Sequence, residues 1–400
     1  MRRSLAVLAA ATALALADAH EAGAGPRVET AGAHEAGAGL RVETGDAGLR
    51  YEPRVIGRVD GFATDLAIAR LDRDRRPDVA VALDRGVEAP GGAQVALNRR
   101  RGFRLQPFVP GGQTPYRIAV GDLDRDGDAD AALPNTVSQD LTLLANDGTG
   151  ALTPAATHPA PYLTRGIAIA DLDGDRRLDV VTSANDDPDG FTPASFRLFS
   201  GAVGTLTTIP AADFFVPAET IAAVDVDGDR RRDIVAVDQS GIVVSHRTAT
   251  GFEPVRRLAL VEDGPFDLAA GDLNRDGLTD LATANLLGTR VAVLLGRPGG
   301  FAPPAYLDVG GGSAQIAIAD LDCDRRPDLA VTLLDAGRIA ILRGARDGFR
   351  PPLLVDAGRA PLALEAADMD LDGDADLVVG DRDSQEVRLL VNRRRFGRAP

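Results

Sequence analysis

A nine-residue frame of alternating aspartates recurs seven times in this 400-residue chain, and no other feature restricts the fold as strongly. Its fullest copy is Asp122-Leu123-Asp124-Arg125-Asp126-Gly127-Asp128-Ala129-Asp130, and the others begin at Arg70, Asp171, Asp225, Asp272, Asp320 and Asp368. Successive starts lie 52, 49, 54, 47, 48 and 48 residues apart. A near-constant period of this length means that one supersecondary unit is repeated and that neighbouring units complete one another's core.

Each copy has the same flanks. A short apolar run precedes the frame, as in Ile118-Ala119-Val120 or Ile316-Ala317-Ile318, and a second follows its last aspartate, as in Val79-Ala80-Val81 or Leu377-Val378-Val379. A third comes next (Leu141 to Leu144, Val291 to Leu295, Ile339 to Leu342), then a tight turn, often Gly-Phe: Gly102-Phe103, Gly251-Phe252, Gly300-Phe301, Gly348-Phe349. A fourth, more polar run closes the unit. The runs are too short for helices and are interrupted by Gly or Pro. Four short strands in about fifty residues, repeated around an axis, describe a propeller blade. The expected fold is all-β: a seven-bladed β-propeller of four-stranded antiparallel blades over residues 48–400. The seventh copy ends soon after Val387 to Val391 and lacks an outermost strand. Leu49 to Val55 has the character of that strand, so the N-terminal segment is expected to pair with the last blade. Closure of this kind removes the free sheet edges that invite aggregation.

Frame positions 1, 3, 5 and 9 carry the chemistry. Four carboxylates held within a few ångströms repel unless a cation joins them, and short aspartate oxygens suit calcium, which takes six to eight oxygen ligands. The expected calcium ligands are Asp122, Asp124, Asp126 and Asp130; Asp171, Asp173, Asp175 and Asp179; Asp225, Asp227, Asp229 and Asp233; Asp272, Asn274, Asp276 and Asp280; Asp320, Asp322, Asp324 and Asp328; and Asp368, Asp370, Asp372 and Asp376. Position 12 is Val81, Leu133, Thr182, Ala236, Thr283, Val331 or Val379, never acidic, which excludes an EF-hand. Gly127, Gly277 and Gly373 at position 6 permit a sharp turn, whereas Arg176, Arg230 and Arg325 stand there in three other copies and are expected to be strained and to weaken binding. The first copy has Arg70 in place of the leading aspartate, and that arginine is expected to pair with Asp72, Asp74 or Asp78 in place of an ion.

The frame Asp-x-Asp-x-Asp-Gly-x-x-Asp, with its following apolar strand and Gly-Phe turn, resembles the FG-GAP or VCBS repeats, whose best-known relatives are the N-terminal propellers of integrin α chains. The resemblance covers residues 48–400. It implies calcium on the strand-connecting loops, at the aspartates named above, and a role in adhesion or recognition.

The remaining features set bounds. Arg2 and Arg3, the small-apolar run Leu5 to Ala17 and the small residues Ala17 and Ala19 predict a signal peptide over 1–19. This run of thirteen residues, apolar apart from Thr12, is too short to span a membrane as a helix, and no other stretch is long enough. Residues 20–47 hold a tandem duplication, His20 to Gly25 returning as His34 to Gly39, and are expected to be a flexible Ala/Gly-rich linker. Cys323 is alone, so disulfides cannot staple the domain. The formal charge of −15 argues against nucleic-acid binding. The chain is therefore expected to be a secreted monomer, extracellular, cell-surface or periplasmic, that recognises an extracellular protein or polysaccharide. Enzymatic action on a polysaccharide or phosphoester is the alternative, but no catalytic residues emerge: His158 and His246 fall in different repeats, and Asp213, Glu219 and Glu365 are expected at surface or rim positions. A lectin is disfavoured by the absence of Trp and by only four Tyr, of which Tyr116 and Tyr162 occupy similar places before their loops.

Overall fold

A computed structural model describes residues 49–86, 88–160, 164–184, 195–199, 206–210 and 218–393; the leader and the duplicated linker lie outside them. Every regular element among the described residues is a β-strand, and no helix long and apolar enough to cross a membrane occurs among them.

The strands form seven antiparallel blades around one axis. Blade 1 comprises Phe62–Ala69, Asp78–Asp84, Gly92–Arg99 and Gly102–Leu105, paired in that order, with Val109–Pro110 also pairing to the third strand. Blades 2 to 6 repeat the meander from innermost strands Ala119–Gly121, Ile167–Ala170, Thr220–Val224, Pro265–Gly271 and Ser313–Ala319. Blade 7 has Pro361–Ala367, Asp376–Asp381 and Glu386–Asn392, and its outermost strand is the N-terminal Tyr51–Arg58. The register runs from Tyr51 opposite Asn392 to Arg58 opposite Glu386. The ring is thus clasped by the first strand, as the missing strand of the seventh copy required.

Each blade's second strand is flanked by two sheets and shielded on both faces by neighbouring blades. It accordingly reads as a continuous apolar run rather than an alternating one; Ile234, Val235, Ala236 and Val237 are all fully buried. The core lies between blades. Val235, Ile242 and Val244 of blade 4 pack against Leu281, Ala292 and Leu294 of blade 5, and Val79 and Val81 of blade 1 pack against Val378, Val387 and Leu389 of blade 7.

The Gly-Phe pairs differ from expectation. In blades 4, 5 and 6 they form two-residue ladders with Arg247–Thr248, Gly296–Arg297 and Gly344–Ala345. They begin the return strand rather than make the turn. Gly251, Gly300 and Gly348 have φ of 145°, 145° and 125°, a region closed to side-chain-bearing residues.

Candidate metal loops and the central channel

The seven aspartate frames connect the first and second strands of their blades, so all lie on one face of the ring. In every frame the ninth-position aspartate is buried: Asp78, Asp130, Asp179, Asp233, Asp280, Asp328 and Asp376. Its Oδ2 accepts the backbone N–H of position 2 at 2.7–3.0 Å in all seven. Its Oδ1 accepts an N–H from the end of the third strand in blades 1, 2, 4, 5, 6 and 7, for example Asn146 at 2.9 Å and Gly344 at 2.7 Å. This aspartate staples the loop to its sheet as well as facing the loop's interior.

The other positions cap further backbone N–H groups of the loop. The first-position carboxylate accepts from position 6 at 2.7–3.2 Å in six loops. The fifth accepts from position 7 at 2.7–3.0 Å in the same loops. Residues at both position 4 and position 6 are left-handed there: Arg125 and Gly127 at φ 69° and 94°, Gly174 and Arg176 at 85° and 68°, Gly228 and Arg230 at 84° and 69°. The position-6 arginines therefore do adopt the strained conformation, and they are exposed. The loops of blades 3 and 4 keep their glycine at position 4 instead, and blade 6, with Cys323 and Arg325 at 52° and 69°, has glycine at neither.

The donor set fits a hard cation. Carboxylate oxygens of Asp122, Asp124 and Asp130 lie within 4.8 Å of one another, as do those of Asp171, Asp173 and Asp179, of Asp225, Asp227 and Asp229, and of Asp320, Asp322 and Asp328. Two oxygens on opposite sides of a calcium ion, each about 2.4 Å from it, are separated by about that much. Asp320 Oδ1 and Asp370 Oδ1 are buried with no hydrogen-bond partner, an arrangement that costs energy unless a cation is supplied. Burial and the charges of Asp370 and Asp372 push Asp376 up to about 7, and burial pushes Asp328 up to about 6. Blade 5 contributes Asp272, Asp276 and Asp280 with Asn274, whose Nδ2 donates to Asp276 at 2.9 Å.

Blade 1 is different in kind, and the expectation for Arg70 is corrected. Arg70 is exposed. The cation facing the loop is Arg99 at the end of the third strand, whose Nη1 donates to Asp72 Oδ2 and, at 2.9 Å, to Asp74 Oδ2. Neither Arg73 nor Arg75 is left-handed, so the loop lacks the turn of the other six. Sequence reasoning looked for the counter-charge within the loop, whereas the fold brings it from 25 residues downstream. In blade 7 Arg393 reaches Asp370 at 3.0 Å while also holding Glu52 at 3.0 Å. In blade 4 His246 Nδ1 lies 3.6 Å from Asp227 and 3.5 Å from Asp233. Arg256, which can only donate, holds its Nε2 at 2.7 Å, so the ring proton faces the carboxylates.

Glu219 and Glu365, expected at the surface or rim, are not there. Glu219 is fully buried and paired with Arg165 at 2.5 Å. Glu365 lines the central channel, a cavity of about 310 Å³ to which the innermost strands of all seven blades contribute. Across it runs a layer of buried polar groups. Arg117, 6% exposed, donates to Thr220 Oγ1 at 2.5 Å, Asp267 Oδ1 at 3.1 Å and Asp65 Oδ1 at 3.4 Å. Gln315 donates to Asp65 at 2.6 Å and accepts from Leu364 N at 2.5 Å. The layer was hidden in the sequence because its members come one each from different repeats. Among the tyrosines, Tyr51 is buried, Tyr116 packs edge-on against Phe266 with Arg165 over its face, and Arg290 covers Tyr306. None of these three offers a free stacking platform. Tyr162 and Asp213 lie outside the described residues.

A family model described as an FG-GAP-like repeat matches residues 70–133 and 225–283, which run from the loop of blade 1 to the second strand of blade 2 and from the loop of blade 4 to the second strand of blade 5. No curated protein matches the chain. Among solved structures, BBS1N in complex with ARL6DN, soaked with lead, is similar with a TM-score of 0.59 and 12% identity, over 88% of this chain and 98% of that one. The mercury-soaked form gives 0.58 and 12%, over 89% and 99%. At that identity the likeness speaks for the fold alone. The clasped ring and the seven frames make the chain a seven-bladed β-propeller, two stretches of which, residues 70–133 and 225–283, match the FG-GAP-like repeat.

Proposed function

We propose that this chain is an exported, calcium-clamped propeller that acts by recognising a macromolecule outside the cell, an extracellular protein in preference to a polysaccharide. The observation that carries the calcium reading is the convergence of carboxylate oxygens inside the loops, where Asp320 Oδ1 and Asp370 Oδ1 are buried without a hydrogen-bond partner. Calcium would be held by Asp122, Asp124, Asp126 and Asp130 in blade 2 and by the equivalent residues of blades 3 to 7. It would supply the cross-links that a chain with a single cysteine cannot make. Export is supported by the leader-like start of the sequence. Recognition is supported by the fold, a closed scaffold whose loops form two broad faces, and by the similar BBS1N structure, which was solved in complex with ARL6DN.

Counting bound calcium by mass spectrometry and following thermal unfolding with and without a chelator tests this. An ion that binds only the folded state at ten times its Kd stabilises by about 1.4 kcal/mol. Six such sites would give about 8 kcal/mol. With an unfolding entropy of about 2.1 cal/mol/K per residue, the midpoint should rise by about 10 °C. A calcium-free protein, or one whose midpoint ignores the chelator, ends the calcium reading. For the partner, binding to glycan arrays with no protein ligand among extracellular candidates would reverse the stated preference.

A further inference from the structure

The innermost strands superimpose residue for residue when counted back from the first loop position. Three residues before it, six blades hold alanine: Ala67, Ala119, Ala168, Ala222, Ala269 and Ala317. The seventh holds Glu365. Two residues earlier lies the layer containing Asp65, Arg117, Thr220, Asp267 and Gln315. Alternate residues of a strand face the same side about 7 Å apart, so the two sets form successive levels of the channel. Burial orders them. In the polar layer Asp65, Arg117, Asp267 and Gln315 are buried and Thr220 is half-buried, whereas in the next level only Ala67 and Ala317 are buried and Glu365, Ala119, Ala168, Ala222 and Ala269 are half-buried. The polar layer is a plug, and above it a cup opens on the face that carries the aspartate loops.

We propose that this cup is a binding site for a small alkylammonium group, with Glu365 as its counter-ion. The charges point to a cation: the floor carries Asp65 and Asp267 against the single Arg117. The chemistry points away from a metal. Both oxygens of Asp65 are taken, by Ile118 N at 2.9 Å and by Arg117 and Gln315. Both oxygens of Asp267 are taken as well, by Ile316 N at 3.0 Å and by Arg117 and Thr220. One free carboxylate cannot furnish the six to eight oxygens of calcium, but it can accept from one ammonium while alanine and isoleucine walls cover a short alkyl chain. A volume of about 310 Å³ is at the lower end for small-molecule sites. Among the described residues no arginine or histidine pairs with Glu365, whose carboxyl accepts only the adjacent Ala366 N–H. Burial, then the charges of Asp65 and Asp267, push it up to about 8, opposed by Arg117. Glu219 and Arg165, from the neighbouring blades 4 and 3, neutralise each other. An entering ammonium would therefore displace a proton from Glu365 at neutral pH.

The test is calorimetric titration of the calcium-loaded full chain at pH 8.5 with n-butylammonium and, separately, with n-butanol. Measuring calcium content in every variant keeps the outcome separate from the metal reading. Wild type should bind the amine and not the alcohol, and at pH 6.5 its affinity should fall by roughly 25-fold. Glu365→Gln should weaken amine binding at least tenfold. Glu365→Ala, which installs the residue of the other six blades, should do the same with calcium content preserved and the unfolding midpoint not lowered. N-acetyl-lysine methylamide distinguishes the source of the group. Binding comparable to n-butylammonium indicates a lysine side chain presented by a partner, and its failure beside a positive n-butylammonium titration indicates a free amine. Absence of amine binding, equal binding of the alcohol, or unchanged affinity in both Glu365 variants overturns the proposal.

Discussion

Blade 1 replaces an ion with an arginine, and removing that arginine separates two accounts of the loop. Arg99 is 38% exposed at its side chain, and its partners Asp72 and Asp74 are 7% and 37% exposed. The pair with Asp72 therefore lies between a solvent-screened bridge, which contributes about 0–1 kcal/mol, and a buried one, whose disruption costs about 3–5 kcal/mol. The pair with Asp74 belongs nearer the screened end. Arg99→Gln should then destabilise by about 2 kcal/mol. For a propeller running from Leu49 to Arg393, with an unfolding entropy near 0.7 kcal/mol/K, that is a drop of about 3 °C. Differential scanning calorimetry of Arg99→Gln, Asp72→Asn and the double variant would give a coupling of about 1–2 kcal/mol, since Asp72→Asn removes the charge that Arg99 neutralises. The loss should be the same in calcium and in chelator, and the calcium count should not change, because the loop has neither a leading aspartate nor left-handed turns. A variant that gains one calcium ion and recovers its midpoint would refute this reasoning. Arg99 would then be a competitor for a competent site, and the backbone argument would fall.

Arg393→Gln should act in the opposite direction, raising blade 7's calcium affinity by freeing Asp370, as read by competition with a chromophoric chelator. Asp124→Ala should lower the calcium count by one and the midpoint by about 2 °C, the share of a single site on the scale used above. Arg117→Met should destabilise by about 3–5 kcal/mol in chemical denaturation, since it strands two buried carboxylates; a loss under 1 kcal/mol would show that the channel layer is not a stabilising network. Glu365 has its folded value raised above the unfolded one, so its contribution to stability is full at acidic pH and is lost as pH rises from about 4.5 through about 8. The slope is at most about 1.4 kcal/mol per unit. Glu365→Gln should flatten that part of the stability profile in calorimetric scans.

What could be read from the sequence was whatever repeats. The period, the strand runs and the incomplete last copy determine a clasped seven-bladed ring, because a closed array leaves Tyr51–Arg58 only one edge to pair with. The left-handed fourth position was within reach: Gly174 and Gly228 mark it, but comparison with Gly127 drew attention to position 6 alone. The departures from the repeat carry the rest, and their meaning depends on neighbours in space. Arg99 is an ordinary strand-end arginine until the fold sets it over Asp72, and Glu365 is an ordinary acid until six alanines form a level around the axis with it. A repeat architecture gives every blade the same backbone, so each functional specialisation has to enter as a single exception to the frame. The places where the repeat breaks, at Arg70 with Arg99 and at Glu365, are therefore where this ring differs chemically from a symmetric one.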